Sequence, residues 1–464
     1  MHFPSNKAAR RALAAVFLTT GAALCPALAQ TPAGERAPRA AGGDPRPPSL
    51  DSRSPSLATG EVAPTRVGGQ LAPVLGLDEL VQTILTYNPA LLSAEQARVT
   101  AAAAVISAGA IPNPRLEYGT GRQRAILPTT ASGNTQTWGV SQLIENPALR
   151  RARVEAARFA VQGTGASAAS VRNTLIGEIR LRAYEYLLRQ AEAAAAADSL
   201  ALLEQVQTRV NARVGSGEAP RYELIKAEAE IINARQVRDT TALMVEQSLF
   251  TLNRLAAGHL PARWTLNETL ADVSPLPPRD LLVDEGLARN PDLLALRAEI
   301  DRSQALVSGA RANRWPGLEV RYDQGRDPEV RTGRISVGVQ IPLFDQRTGP
   351  IAEASSELVR ARGRYEGLQL ELRQQILQAA QMQEIAQLKV QALSTGAVRD
   401  AEAAVRVAEA AYRYGERGIL DVLDAQRVLR TVRADLLAAR FQVQAARIDI
   451  ELLAGRFAGA PLQP

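Results

Sequence analysis

A mainly helical, internally duplicated fold with a small β part is predicted by three features of this 464-residue chain. First, two long heptad helices each follow a glycine turn. From Val422, apolar or small residues fall at Val422, Ala425, Leu429, Val432, Leu436, Ala439, Val443, Ala446, Ile450 and Leu453, in alternating steps of three and four. That is the seam of a coiled coil. An earlier seam runs through Leu224, Ala227, Ile231, Ala234, Val245, Leu252 and Leu255. Second, Asn88-Pro89 returns as Asn290-Pro291, 202 residues on, and Pro114-Arg115-Leu116-Glu117 returns as Pro316-Gly317-Leu318-Glu319 at the same offset. Third, a stretch of period two precedes each hairpin. One order of elements occurring twice is a specific signal of a repeat.

The first 29 residues have the form of an export signal, with Lys7, Arg10 and Arg11 ahead of an apolar core at 12–23 and Ala27-Leu28-Ala29 before Gln30. The core is too short for a spanning helix; a membrane anchor is the alternative. Cys25 is the one cysteine, and Leu24 before it departs from a lipoprotein signal, so a processed chain is expected to carry no thiol, disulfide or lipid anchor. The net charge of +6 then falls, leaving 51 basic against 48 acidic residues. Residues 30–74, rich in Pro, Gly, Ser and Arg, are expected to bury no core.

The first repeat is placed at 75–257. Its pattern is helical from Leu77 to Ala110, with Asp78 as N-cap and a break at Asn88-Pro89. Strands follow at 112–124 and 134–144, joined by a loop holding Pro128 and Gly133. Asn146-Pro147 supplies a cap and a proline at the first helical position, and nothing stops that helix before Val214. At 1.5 Å per residue it is roughly 100 Å long. The turn at 215–220 reverses it, and the return helix runs to about Ala257. Residues 258–280, with Pro261, Pro275, Pro277 and Pro278, form a linker. The second repeat, 281–457, has its strand pair at 316–326 and 332–344. In the last strand Ile335, Val337, Val339 and Ile341 alternate with Ser336, Gly338 and Gln340. Gly349-Pro350 opens the second long helix, striped at Leu358, Tyr365, Leu372, Ala379, Ala386 and Leu393; its turn is at 415–418, and 458–464 is a tail.

Strands of about ten residues with alternating faces suit a tilted transmembrane strand. Four per chain cannot close a barrel, and open edges are not tolerated in lipid, so a membrane reading requires several chains; a trimer gives twelve strands. Tyr118, Trp138, Trp315, Tyr322 and Phe344 lie near strand ends, where aromatic girdles sit. A soluble β-layer capping a coiled coil is the alternative. The Ala-rich helices must pack side by side, as the wall of a hollow cylinder or as a solid rod. After the signal no apolar run approaches the length of a membrane-spanning helix.

The paired Asn-Pro breaks, the strand pairs, and Gly415–Ala425 with its counterpart Gly217–Ala227 resemble the TolC family of outer-membrane efflux proteins, over about residues 75–457. Segment 138–153 most resembles the metal-efflux, CzcC-like branch, with Asn146-Pro147 and Arg150-Arg151 where that branch usually has a Gly-rich turn and a Lys-Arg pair. The resemblance implies a homotrimer with a twelve-stranded barrel in the lipid of a Gram-negative outer membrane and a helical α-barrel reaching into the periplasm. It implies an exit duct served by a periplasmic adaptor (a membrane fusion protein) and an inner-membrane pump of RND type. Heavy-metal cations are the implied cargo, with drug efflux or type I secretion as alternatives. By the same resemblance Tyr412 and Arg417 tie the inner mouth shut against Glu223, Asp421 and Asp424 ring it with carboxylates, and the turns at Gly215, Gly217, Gly415 and Gly418 meet the adaptor.

The residues make physical sense of those roles. Asp421 and Asp424, three apart, share a helix face, and three copies would set six carboxylates around a narrow opening, attracting cations. An exposed Arg417–Glu223 pair is worth ~1 kcal/mol, a lock that docking can overcome. The alternative role of the two aspartates is to complement a helix N-terminus. Catalysis finds no support: beyond the signal the chain has one histidine, His259, and no cysteine, metal-ligand cluster or phosphate loop, so neither enzymatic activity nor a cofactor is expected. Charges of both signs are interspersed, which argues against nucleic acid. A periplasmic adaptor would show one hairpin inserted in β-rich domains, whereas this chain has two, each preceded by its own strand pair; a coiled-coil scaffold is the other alternative.

Overall fold

The computed structural model describes residues 73–124, 126, 128–271 and 275–459. The export signal, Cys25, the leader up to residue 72, linker residues 272–274 and the last residues of the tail lie outside the described residues.

Each repeat begins with two short helices, α1 (Leu77–Tyr87) and α2 (Pro89–Gly109), then α5 (Arg279–Arg289) and α6 (Pro291–Ala312). The Asn-Pro dipeptides do two jobs at these breaks. Asn88 Oδ1 accepts from the amides of Ala90 and Leu91 at 3.0 and 3.4 Å, and Asn290 Oδ1 from Asp292 and Leu293 at 3.0 and 3.3 Å. Proline follows at the first helical position, where its missing N–H costs nothing. The other side-chain atom reaches across the fold: Asn88 Nδ2 donates to Leu255 O at 3.0 Å and Asn290 Nδ2 to Leu453 O at 3.1 Å. Both carbonyls close a return helix, so each asparagine starts one helix and satisfies the end of another. Asp78, expected as N-cap of α1, instead lies in its first turn; extended Gly76 is the cap, with no side-chain bond.

The strands are β2 (Arg115–Gln123), β3 (Gly133–Ile144), β5 (Leu318–Arg326) and β6 (Arg331–Val339). They form one antiparallel sheet in the order β2-β3-β5-β6, so the hairpins of the two repeats join through β3 and β5. The last strand stops at Val339, short of the expected 344; Pro342 lacks the amide that a ladder needs. Two further strands had no visible sequence signal. Val74–Leu75 (β1) and Thr265–Leu266 (β4) pair in parallel, bringing the start of one predicted segment against the predicted linker. That linker is partly core: Leu260, Trp264 and Leu266 are buried with Leu80, Ile84, Ile179 and Tyr186, and the Tyr186 hydroxyl donates to Trp264 O at 3.0 Å.

The first hairpin is α3 (Pro147–Gly215, 69 residues) and α4 (Arg221–Leu255). The second is α7 (Thr348–Ala392), a π turn at Leu393–Ala397, α8 (Val398–Arg413) and α9 (Ile419–Leu453). The predicted seams are the packed faces: Ala227, Ile231, Ala234, Leu252 and Leu255 on α4, and Val422, Leu429, Leu436, Ala439, Val443, Ala446 and Ile450 on α9, are buried. Asn146 caps α3 by accepting from Ala148 N at 3.0 Å, and its Nδ2 donates to Ala312 O and Trp315 O at 2.9 and 3.2 Å, fixing the sheet to the helices. Among the described residues no helix is long and apolar enough to cross a membrane.

Candidate channel site: the hairpin ends and the sheet

The two hairpin ends share one backbone solution. Gly217 and Gly415 have φ of +80° and +76°, the left-handed region that glycine adopts without penalty. Around them the bonds repeat: Gly217 N donates to Val214 O and Glu218 N to Arg213 O at 3.1 and 2.9 Å, while Gly415 N donates to Tyr412 O and Glu416 N to Ala411 O at 3.1 and 2.9 Å. Gly215 closes α3, and Gly418 is the extended N-cap of α9.

These ends are packed together. Tyr412 is buried with Val206, Val210, Ile419 and Val422, and Leu224 of α4 lies against the same cluster. Its hydroxyl donates to Glu223 Oε2 at 3.5 Å, a long bond, and burial, then the Glu223 carboxylate, push the phenol above its ordinary pKa. A Cβ at Gly418 would stand 3.6 Å from Glu223 Oε1, an ordinary contact, so the turn passes close to that carboxylate without requiring glycine for space. Tyr412 and Glu223 are thus brought together. Arg417 is not joined to them within the chain. Its Nη1 lies 3.4 Å from Asp421 Oδ2, an exposed pair one helical turn apart that cannot bind one helix to another. Asp424 lies 3.8 Å from Arg427, so each aspartate of the expected ring has an arginine beside it.

Two ties escaped the sequence reading. The Arg213 guanidinium lies 4.7 Å from the centroid of the Tyr412 ring, and its Nη1 donates to Tyr412 O at 3.1 Å. Arg427 Nη2 reaches Glu230 of α4 at 2.7 Å, with Arg430 at 3.5 Å from the same carboxyl. Arg427 and Glu230 hold α9 to α4 as Arg417 and Glu223 were expected to. The one available hint was that Arg427 follows Asp424 by three residues, on its helix face.

The sheet has two unlike faces. By register, one bears Ile144, Leu318 and Val339, then Val320 and Val337 beside Gln142, then Leu116, Val140, Tyr322 and Ile335, then Tyr118 and Trp138 beside Gln324 and Gly333, so it is mainly apolar. Most of these side chains are exposed, Ile335 to 75% and Leu116 to 67%. The other face carries Gly119, Gly121, Gly139 and Ser141, with Arg321 bridging Glu117 and Asp323 at 2.8 Å each. A Cβ on Gly139 would stand 2.6 Å from Asp323 Oδ1, so glycine there lets the arginine lie flat across three strands. No group of His, Cys, Asp or Glu suited to a metal occurs among the described residues.

Residues 282–456 match the family model "Outer membrane efflux protein". The cobalt-zinc-cadmium resistance protein CzcC of Cupriavidus metallidurans is 27% identical over 416 residues, spanning 87% of this chain and 96% of that protein. The outer membrane efflux protein BepC of Brucella suis is 27% identical over 294 residues, 61% of this chain and 63% of its own. Among solved structures, CusC superposes with a TM-score of 0.72 at 17% identity, covering 84% of this chain and 95% of CusC. The open-state MtrE channel of Neisseria gonorrhoeae superposes at 0.69 with 19% identity, covering 84% and 93%. With the duplicated hairpins and the two-faced sheet, these likenesses give one answer: residues 282–456 carry the outer membrane efflux protein signature, and the chain as a whole has the fold of the TolC-like outer-membrane channels.

Proposed function

We propose that this chain is the exit duct of a tripartite efflux assembly, in which three copies close a twelve-stranded barrel in the outer membrane. The hairpins line a tunnel into the periplasm, and an adaptor with an RND-type pump docks at the glycine turns. The observation that carries this reading is the sheet, whose apolar face is exposed along its length and whose edges, β2 and β6, are open. In lipid an open edge costs several kcal/mol per unpaired backbone group, roughly, and closure by further copies removes that cost.

In this reading the hairpin ends are the gate. Tyr412, Glu223 and Arg213 hold the mouth, and Asp421 and Asp424 set its charge. Divalent metal cations are the cargo, supported by those carboxylates and by the likeness to a cobalt-zinc-cadmium resistance protein. Membrane fractionation tests the first part, with a heat-modifiable trimer expected in the outer membrane and a soluble monomer overturning it. Deleting the gene tests the cargo: sensitivity to divalent metals is expected, and sensitivity to drugs or detergents alone would replace metals with small organic molecules.

A further inference from the structure

The apolar face of the sheet ends abruptly at its loop end. Beyond Tyr118 and Trp138 the next row holds Thr120, Gln136, Arg326 and Arg331, and the one after it Arg122 and Asn134. Arg326 and Arg331 are direct cross-strand partners. Like charges placed opposite each other in a sheet repel and destabilise the pair. Among the described residues Arg122, Arg326 and Arg331 have no ion pair, and all three are exposed. The nearest acids in sequence, Asp327 and Glu329, lie in the β5–β6 turn, and the Glu329 carboxylate accepts from the Ala131 amide of the other loop. The opposite face behaves differently, since Arg321 there is neutralised by two carboxylates.

We infer that Arg122, Arg326 and Arg331 form a binding row for the phosphates of lipid headgroups in the leaflet around the loop end. This rests on the barrel reading, in which the apolar rows meet acyl chains. The aromatic row then lies at the interface, and the arginines fall at headgroup depth, Arg326 and Arg331 one row further along and Arg122 two. Guanidinium groups suit this task because they hold their charge and present forked donors to phosphate oxygens. A phosphate between Arg326 and Arg331 turns their repulsion into attraction to a shared anion.

The test reconstitutes the full chain, and the R326Q/R331Q variant, into vesicles of phosphatidylcholine alone and of phosphatidylcholine mixed equally with phosphatidic acid. Thermal dissociation of the assembled protein is read in each. The wild type is expected to be stabilised by the acidic lipid, and the variant to bind it roughly tenfold more weakly or worse. In neutral vesicles the variant is expected to be at least as stable as the wild type, because a like-charge pair is gone; a purely structural role for the arginines gives the opposite sign. Inorganic phosphate added to neutral vesicles separates a lipid site from a free-anion site. Equal response of wild type and variant, or full stabilisation by inorganic phosphate, overturns the inference. Failure of the wild type to insert into either vesicle overturns the barrel reading itself, whereas insertion without lipid preference overturns the inference alone.

Discussion

The guanidinium of Arg213 covers the ring of Tyr412, 4.7 Å from its centroid, and donates to that residue's own carbonyl. One side chain at the end of α3 thereby holds both the ring and the backbone at the end of α8.

Arg213→Ala is therefore expected to raise resting conductance in planar bilayers more than Tyr412→Phe. The arginine supplies a cation–π contact of ~1 kcal/mol and a charge-assisted bond of similar size, while phenylalanine keeps the packing and loses only the long bond to Glu223. Arg417→Ser is expected to change conductance least, because its partner Asp421 is only four residues on, in the first turn of α9. The reverse ranking would move the lock to partner subunits.

Arg427→Ser frees Asp424 from its cation and leaves Glu230 with Arg430 alone. Block of the channel by multivalent cations is expected to strengthen, and Asp421→Ala with Asp424→Ala to weaken it. Identical block in all three proteins would leave those aspartates with no task beyond complementing the start of α9.

Asn88→Ala and Asn290→Ala each remove a cap and leave a return-helix carbonyl unpaired in a buried place. A loss of roughly 1–2 kcal/mol is expected for each, with near additivity because the two sites serve different core clusters. Thermal unfolding of the single and double variants measures both.

Glu285 is held below the usual glutamate range, first by its bond from Arg456 and then by that charge, against an opposing contribution from burial. A carboxylate depressed in the folded state stabilises above its unfolded pKa, roughly 4.3, and that stability disappears as pH falls through the lower folded value. Stability measured from neutral pH downward is expected to fall less steeply in acid for Glu285→Gln than for the wild type.

The repeat was legible because its signals are local and chemical: asparagine then proline at a helix start, glycine where φ must be positive, and heptad seams that turned out to be the buried faces. The sheet was legible for the same reason, its period-two alternation surviving in Ile335, Val337 and Val339. What stayed hidden depends on distance in the chain. Val74–Leu75 and Thr265–Leu266 are too short to carry a period, and become strands only because each finds the other. Arg213 and Glu230 look like ordinary solvated charges on long helices, and acquire roles from what the opposite hairpin places beside them. Within the chain Arg417 turns to Asp421 rather than to Glu223, because side-chain direction at a turn is not written in spacing.

The π turn at Leu393–Ala397 acts as a phase shifter. The stripe of Leu358, Tyr365, Leu372, Ala379 and Ala386, continued unbroken, would arrive at Asp400, Val407 and Tyr414; the residues that arrive inside are Ala401, Val405 and Tyr412, while Val407 and Tyr414 are exposed to 68% and 80%. One extra residue in the turn rotates everything beyond it by about 100° of helix. Without it the wrong tyrosine would face Arg213, so the chemistry of the mouth is set by a single-residue miscount about four helical turns away.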